Sequence, residues 1–378
     1  MDLLWITPKW FGTDLAATTQ LGASKALSER GCNISFVAPD EHGRGAKVVN
    51  ESGHMFHAVK RSRKPGLGSF TFTRSLKRML PPLFSVAKFD VALVEWQCVS
   101  GSHRALDHVG IPWLIVDRSP PVFTSLIGRL QWVEYRRAWR LASESSNIKG
   151  SVLKSQALAD WHHSKRRLPE GVTIMQAGVE VERYSQTTFP KPLTIVHHGQ
   201  LDFERDIERL VKIGDILQQR EVLFRMHIVG RGNRLQVLQE ASLSRDWLEV
   251  SGPISQDEVP EYLSSGSLAL FPLPDRDVWR LASPLKIREW AAAGIPMILS
   301  DITPHRFLGD RSWIRYVRPD ASIEDWVGQI QNLLDEDLSR LGEQARSDAI
   351  SEFDWVKTTD ALYQTLSEII GPVGESFN

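Results

Sequence analysis

Three short stretches in the second half of this 378-residue chain combine residue types that hold anions. The first runs Ser283-Pro284-Leu285-Lys286-Ile287-Arg288-Glu289 and closes on Ala293-Gly294-Ile295-Pro296. Pro284 suits the first turn of a helix, whose free N–H groups hold an anion such as a diphosphate. Lys286 adds a positive charge in the same turn. Glu289 lies further along, where a carboxylate can accept two hydrogen bonds from the hydroxyls of a ribose. Gly294 ends the helix and Pro296 bars its continuation. Taken alone, local physics favours a plainer alternative, a capped helix whose Glu289 is merely solvated. The second stretch is His198-Gly199-Gln200-Leu201-Asp202-Phe203-Glu204-Arg205. It follows an apolar run directly; Gly199 allows close backbone approach and Arg205 offers a phosphate fork. The third, His227-Ile228-Val229-Gly230-Arg231-Gly232-Asn233, is another apolar run ending in glycines, without the third glycine of a dinucleotide fingerprint.

The elements that must position these residues are strands alternating with helices. Apolar runs predict strands at Leu3–Ile6, Ile34–Ala38, Val91–Val94, Trp113–Val116 and Thr173–Met175. Thr13 or Asp14 can cap a helix with the apolar face Leu15, Thr19, Ala23, Ala26 and Leu27, which Gly31 stops. A polar, proline-containing stretch, Ser185 to Pro192, reads as a linker. A second series follows at Leu193–Val196, Phe224–Val229, Leu248–Ser251, Leu268–Phe271, Met297–Leu299 and Ile314–Val317. Phe353 through Ile370 reads as one amphipathic helix. The expected fold is α/β, with two Rossmann-like doubly wound domains facing across a cleft.

Composition narrows the function classes. Lys+Arg 45 against Asp+Glu 46 gives a net charge of −1, unlike a polyanion-coating protein. That balance hides an asymmetry. Residues 1–187 hold 25 Lys/Arg and 16 Asp/Glu, the rest 20 and 30, giving +9 and −10. No acidic residue lies between Glu51 and Asp90, a stretch holding Lys60, Arg61, Arg63, Lys64, Arg74, Lys77, Arg78 and Lys88. Interleaved with them are Leu67, Phe70, Phe72, Leu76, Met79, Leu80, Leu83 and Phe84, the pattern an anionic membrane or lipid attracts. An ordinary solvated face is the even alternative. Two cysteines, Cys32 and Cys98, exclude a disulfide scaffold and fit a reducing compartment. No run approaches a membrane span, and the N-terminus lacks the pattern of a signal peptide. The adjacent pairs His162-His163 and His197-His198 make poor chelates, since neighbours in a strand face opposite ways. A Gly-x-Ser-x-Gly elbow is missing, and the basic stretch lacks any nucleic-acid-binding motif. Most of the 13 tryptophans are expected in cores and interfaces.

In their order along the chain, these stretches resemble the retaining glycosyltransferases of family 4, which have the two-Rossmann GT-B architecture. The resemblance rests on Gly199 with Arg205 six positions later, Gly230 and Gly232 after a strand, and Val250 to Pro253. It continues through Ser283 to Glu289, Ala293 to Pro296, and the Phe353-Asp354-Trp355 opening of a terminal helix that returns to the first domain. It covers essentially the whole chain and is more specific in the second half. It implies an N-terminal acceptor domain over 1–187, joined by the crossover helix at about 353–378, and a donor domain over 191–350.

It also implies roles. Arg205 and Lys286 would hold the donor diphosphate and stabilise the leaving group, with Gly199, Gly230, Ser283, Pro284 and Leu285 around it. Glu289 would hold the ribose, and Gly12 would lie in the first-domain loop near sugar and phosphates. Arg118, after the strand ending at Val116, would stand near the transferred sugar or acceptor, where relatives often have histidine; a surface salt bridge is its alternative. Two departures stand out. Leu281 occupies the place of the first of two glutamates eight apart, and Gln200 replaces a frequent arginine. The expected activity is sugar transfer from a nucleotide-diphosphate sugar to a glycan or lipid-linked acceptor, without metal or other cofactor. The expected place is the cytoplasm, with Lys60, Arg61, Arg63, Lys64, Arg74, Lys77 and Arg78 offered to the acceptor or the inner membrane face. The alternatives are a catalytically silent nucleotide-sugar or glycan-binding protein and a nucleotide-sugar epimerase.

Overall fold

The computed structural model describes the whole chain except residues 15–16, 41, 65–66, 122–125, 166–168 and 372–378. It divides into two compact units. Unit 1 comprises Met1–Ala177 and Thr358–Asn378; unit 2 comprises Gly178–Lys357.

Unit 1 holds a seven-stranded sheet: β1 (Asp2–Ile6), β2 (Asn33–Pro39), β3 (Met55–Val59), β4 (Val91–Glu95), β5 (Trp113–Asp117), β6 (Ile148–Leu153) and β7 (Val172–Ile174). Their spatial order is β3-β2-β1-β4-β5-β6-β7, and every pairing is parallel. Parallel strands covered on both faces read as continuous apolar runs, and β1, β4 and β5 are buried almost throughout. Two strands escape the sequence reading. β3 is an edge strand, half exposed, with no apolar run to mark it. β6 carries Lys149 and Gly150, and Gly150 sits at φ +142 where the register with β5 shifts.

The helix after β1 spans Thr18–Ser28 with Ala17 at its N-cap. Neither Thr13 nor Asp14 caps it; the Asp14 carboxylate accepts the Trp10 N–H at 3.0 Å instead. Of the expected apolar face, Leu15 lies outside the described residues. Gly31 adopts φ +84 just past the helix, as expected of a stop.

Unit 2 holds β8 (Leu193–Gln200), β9 (Phe224–Arg231), β10 (Leu248–Ser251), β11 (Leu268–Phe271), β12 (Met297–Ser300) and β13 (Ile314–Val317). Their order is β10-β9-β8-β11-β12-β13, again all parallel. Trp290, Trp313 and Trp326 fill its core, and Trp5, Trp113 and Trp139 that of unit 1, so these six are packing residues.

Two expectations about connections are corrected. Ser185 to Pro192 is not a linker. Thr187 donates its N–H to Ala293 O and its hydroxyl to Gly266 O, which fastens the stretch into unit 2. The chain divides ten residues earlier, after Ala177. The C-terminal segment is not one helix. A wide turn at Ala349–Phe353 and a short helix Trp355–Thr358 precede the helix Asp360–Ile370. That last helix is held in unit 1 by Thr365 to Thr173 at 2.8 Å and by Arg30, which pairs with Asp360 and stacks over Tyr363.

Candidate functional site

In a doubly wound sheet the chain reverses direction at one pair of neighbouring strands, and their C-terminal ends open a crevice. In unit 2 that pair is β8 and β11. The His198–Arg205 stretch leaves β8 here, and Phe271 ends β11.

Lys286 reaches this point from the second position of the helix Leu285–Ala292. Its Nζ lies 3.3 Å from His197 Nε2 and 4.4 Å from the centre of the Phe271 ring. His197 Nδ1 lies 2.8 Å from Leu270 O. A carbonyl only accepts, so Nδ1 carries the proton and Nε2 presents its lone pair to the ammonium. Burial and the nearby Lys286 charge hold the His197 pKa well below the usual histidine range, which keeps the ring neutral. Burial, then Arg205, pushes the Lys286 pKa well down as well. A β-carbon at Gly199 would stand 3.2 Å from Lys286 Nζ, so the bare glycine leaves the ammonium its room.

Arg205 ends a short turn, Phe203–Arg205, and its guanidinium stacks over Trp279 at 4.4 Å. Its buried Nε has no hydrogen-bond partner, and burial lowers its pKa. The Leu285–Ala292 helix has no side-chain cap. Pro284 stands at the N-cap, one place ahead of the expected first turn, and Ser283 precedes it. The first-turn N–H groups of Leu285 and Lys286, the Lys286 ammonium and the Arg205 guanidinium therefore form an electropositive site without a paired carboxylate.

Glu289 is not the solvated carboxylate of the plainer alternative. It is 4% exposed. Oε2 accepts from His198 Nε2 at 2.8 Å; Oε1 accepts from Gln256 Nε2 at 2.8 Å and Tyr184 OH at 3.3 Å. Trp290 Nε1, which can only donate, bonds His198 Nδ1 at 3.2 Å, so the His198 proton sits on Nε2 and points at the carboxylate. Burial alone would raise the Glu289 pKa; the bonds from His198, Gln256 and Tyr184 outweigh it and hold the pKa low. Three of about four acceptor positions are filled, leaving room for one further donor unless a partner yields.

Gly230 has a structural role of its own. It pairs with Gly199 across β8 and β9, and a β-carbon there would fall 1.8 Å from Gly199 O. The positions around the departures are also placed. Gln200 is exposed at the end of β8, and Leu281 caps the short helix Asp277–Arg280.

Unit 1 holds the remaining expected residues. Gly12 takes φ +76 in the turn after β1. Beside it Trp10, Phe11, Thr13, Asp40, His42, Arg44 and Arg63 line a cavity of about 270 Å³. Arg118 follows β5 directly, and the salt bridge that was its alternative is formed neither with Asp117 nor with another carboxylate among the described residues. Asp117 instead accepts from Tyr135 OH and the Ser119 N–H, and lies 3.0 Å from His162 Nε2. In the basic stretch, Arg61 is withdrawn from the surface: it donates to Pro8 O and stacks on Phe72. Arg63 is exposed and lies over Trp10 at 4.8 Å. Lys60, Lys64, Arg74, Lys77 and Arg78 are exposed.

Residues 192–336 match the family model described as glycosyl transferases group 1. That stretch, within unit 2, is similar to a group 1 glycosyltransferase domain and supports a transferase enzyme. No curated protein matches the chain. Among solved structures, Anabaena Alr3699/HepE in complex with UDP superposes with a TM-score of 0.76 at 13% identity, covering 97% of this chain and all of that one. A glycosyltransferase from Rickettsia africae gives 0.74 at 12%, covering 98% and 99%. WaaG, a glycosyltransferase involved in lipopolysaccharide biosynthesis, gives 0.67 at 13%, covering 97% and 99%. At such identities the likeness is one of fold: the two units have the Rossmann-like fold of the domains of GT-B glycosyltransferases.

The sequence reading missed His197, His198, Tyr184 and Gln256. The histidine pair is read as a failed chelate, and His198 otherwise only opens the second stretch without a role of its own. Gln256 follows the Val250 to Pro253 element by three residues, and Tyr184 lies in the stretch leading to the misread linker.

Proposed function

We propose that this glycosyltransferase moves a sugar from a nucleoside-diphosphate sugar to a glycan or lipid-linked acceptor, with retention at the anomeric carbon. The observation that carries the reading is the Lys286–Arg205 site at the uncapped N-terminus of the Leu285–Ala292 helix. Negative charge builds on the diphosphate as the glycosidic bond breaks. Two cations and oriented N–H groups already in place stabilise that charge without reorganising, and no metal is needed. Glu289, its orientation fixed by His198, receives a ribose hydroxyl at its remaining acceptor position. HepE has been solved with UDP and with UDP-glucose, which supports a nucleotide sugar as donor. WaaG supports a glycan-building role.

The test is calorimetric titration of UDP, GDP, ADP and their common sugar conjugates into the full chain, with Arg205→Ala alongside. Selective binding to the wild type, lost in the variant, is expected. Leu281, in place of a carboxylate, favours the second reading, a silent binding protein. A nucleotide sugar that binds but is never turned over, by transfer or hydrolysis, would decide for that reading. No binding of any nucleotide would sink the transfer reading and leave a silent glycan-binding scaffold.

A further inference from the structure

Unit 1 carries a second group of cations that form no ion pair among the described residues, at the C-terminal edge of β5 and β6. Those strands run parallel with Asp117 opposite Leu153. The next residue on each, Arg118 and Lys154, therefore steps off the sheet beside the other. Arg118 Nη1 is buried with no hydrogen-bond partner. Neither residue has a side-chain hydrogen bond or ion pair among the described residues, although carboxylates stand nearby.

Those carboxylates bond other donors instead. Asp117 is taken by Tyr135, His162 and the Ser119 N–H. Glu95 Oε1, at the end of β4, accepts from Thr7 Oγ1 at 2.8 Å and Gln20 Nε2 at 2.6 Å. Burial opposes the charge on both cations, and on Lys154 the neighbouring Arg118 adds to it against the pull of Asp117. Burial, then the Arg118 charge, brings Lys154 down to about 8. Burial brings Arg118 down to about 10 against the pull of Glu95. Two adjacent, half-buried cations that form no ion pair are unfavourable for folding, and such strain is kept where a ligand relieves it.

We propose that Arg118 and Lys154 form a binding site for an anionic group, a phosphate or carboxylate, on the acceptor sugar. The inference rests on the reading of unit 1 as the acceptor unit, and it names the acceptor's class. An arginine fork and a lysine point charge side by side suit two oxygens of a phosphate or carboxylate better than a neutral hydroxyl.

The experiment titrates glucose 6-phosphate, glucuronate and glucose into the full chain, with and without UDP, for the wild type and for Arg118→Gln, Lys154→Gln and Lys286→Gln. Glucose 6-phosphate is expected to bind with or without UDP, and at least tenfold more tightly than glucose. Arg118→Gln and Lys154→Gln should each weaken it at least tenfold while leaving UDP affinity unchanged. Lys286→Gln should do the reverse. Melting temperature provides an independent readout. Without ligand both unit 1 variants should melt at or above the wild type, whereas residues with only a structural role would lower it. Three results would overturn the proposal: equal binding of glucose and glucose 6-phosphate, loss of sugar-phosphate binding in Lys286→Gln alone, or a melting temperature lowered in both unit 1 variants. A fourth arm compares UDP-glucuronate with UDP-glucose. If Arg118→Gln weakens only the former, the cations read the donor sugar and the acceptor assignment fails. Failure of UDP to bind the wild type would instead sink the transfer reading, with the sugar-phosphate arm still decisive for this site.

Discussion

The His198 ring holds the Glu289 carboxylate from one side and accepts the Trp290 indole N–H from the other. His198→Phe keeps a ring in the space and removes both bonds. Losing a hydrogen bond to a charged group costs about 1.5–3 kcal/mol, and orphaning the indole N–H adds about 1 kcal/mol. The total, about 3 kcal/mol, lowers the melting temperature of a unit of this size by about 6–12 °C. The loss also has a pH signature. In the wild type the Glu289 pKa lies below its unfolded value, so its stabilisation is present above the ordinary carboxylate range and fades as pH falls through the lowered pKa. In the variant the largest of the opposing bonds is gone and burial raises the pKa, so the charged carboxylate destabilises unit 2 at neutral pH and is relieved by protonation. Thermal denaturation of both proteins at pH 7 and pH 4.5 checks this. The gap in melting temperature should be widest at pH 7, and His198→Gln, which restores a donor, should close part of it. A gap of the same size at both pH values would refute the argument that a charged carboxylate depends on His198.

Three further outcomes follow from the geometry. Lys286→Gln should abolish measurable UDP binding by calorimetry yet leave the melting temperature unchanged or higher, because the ammonium sits against a neutral histidine and an aromatic ring. Gly230→Ala should cost unit 2 several kcal/mol, about 3 or more, or prevent soluble expression, since its β-carbon would collide with Gly199 O; a melting curve like that of the wild type would be contrary evidence. Replacing Arg74, Lys77 and Arg78 by glutamate, or exposed Phe70 by aspartate, should release the chain from vesicles of anionic lipid, with the fold intact by circular dichroism. That last outcome rests on the helix Gly68–Val86, which buries Phe72, Leu76, Leu80 and Leu83 and leaves Phe70 and these cations outside.

Apolar runs made the buried strands legible. Eleven of the thirteen carry such runs, most plainly where every position is buried, as in β4, β5, β11 and β12. The half-exposed β3 and the glycine-bearing β6 lack that run. Connections were harder to read because proline and polarity describe solvent exposure, and Ser185 to Pro192 satisfies its polar groups against unit 2 instead. Glycines reveal a special backbone but not its cause. Gly199 makes room for an ammonium, whereas Gly230 makes room for Gly199 itself.

Charge was the least legible quantity, for a reason both sites share. Counting residues gives unit 2 an acidic balance and hides a cationic site within it. What decides the local field is which carboxylates remain free to pair. Glu289 is consumed by His198, Gln256 and Tyr184. Asp117 is consumed by Tyr135, His162 and a backbone N–H, and Glu95 by Thr7 and Gln20. All these partners are side chains or backbone groups that no charge count includes. With the acids engaged by such donors, Lys286 and Arg205 in one unit and Arg118 and Lys154 in the other form no ion pair among the described residues. A cation paired inside the protein must break that pair before it can bind an anion, which subtracts the strength of the pair from the affinity. Cations left unpaired avoid that subtraction. They lower the stability of the empty protein and raise its affinity for a charged substrate, so each of the four should show the same opposed pair of effects when neutralised.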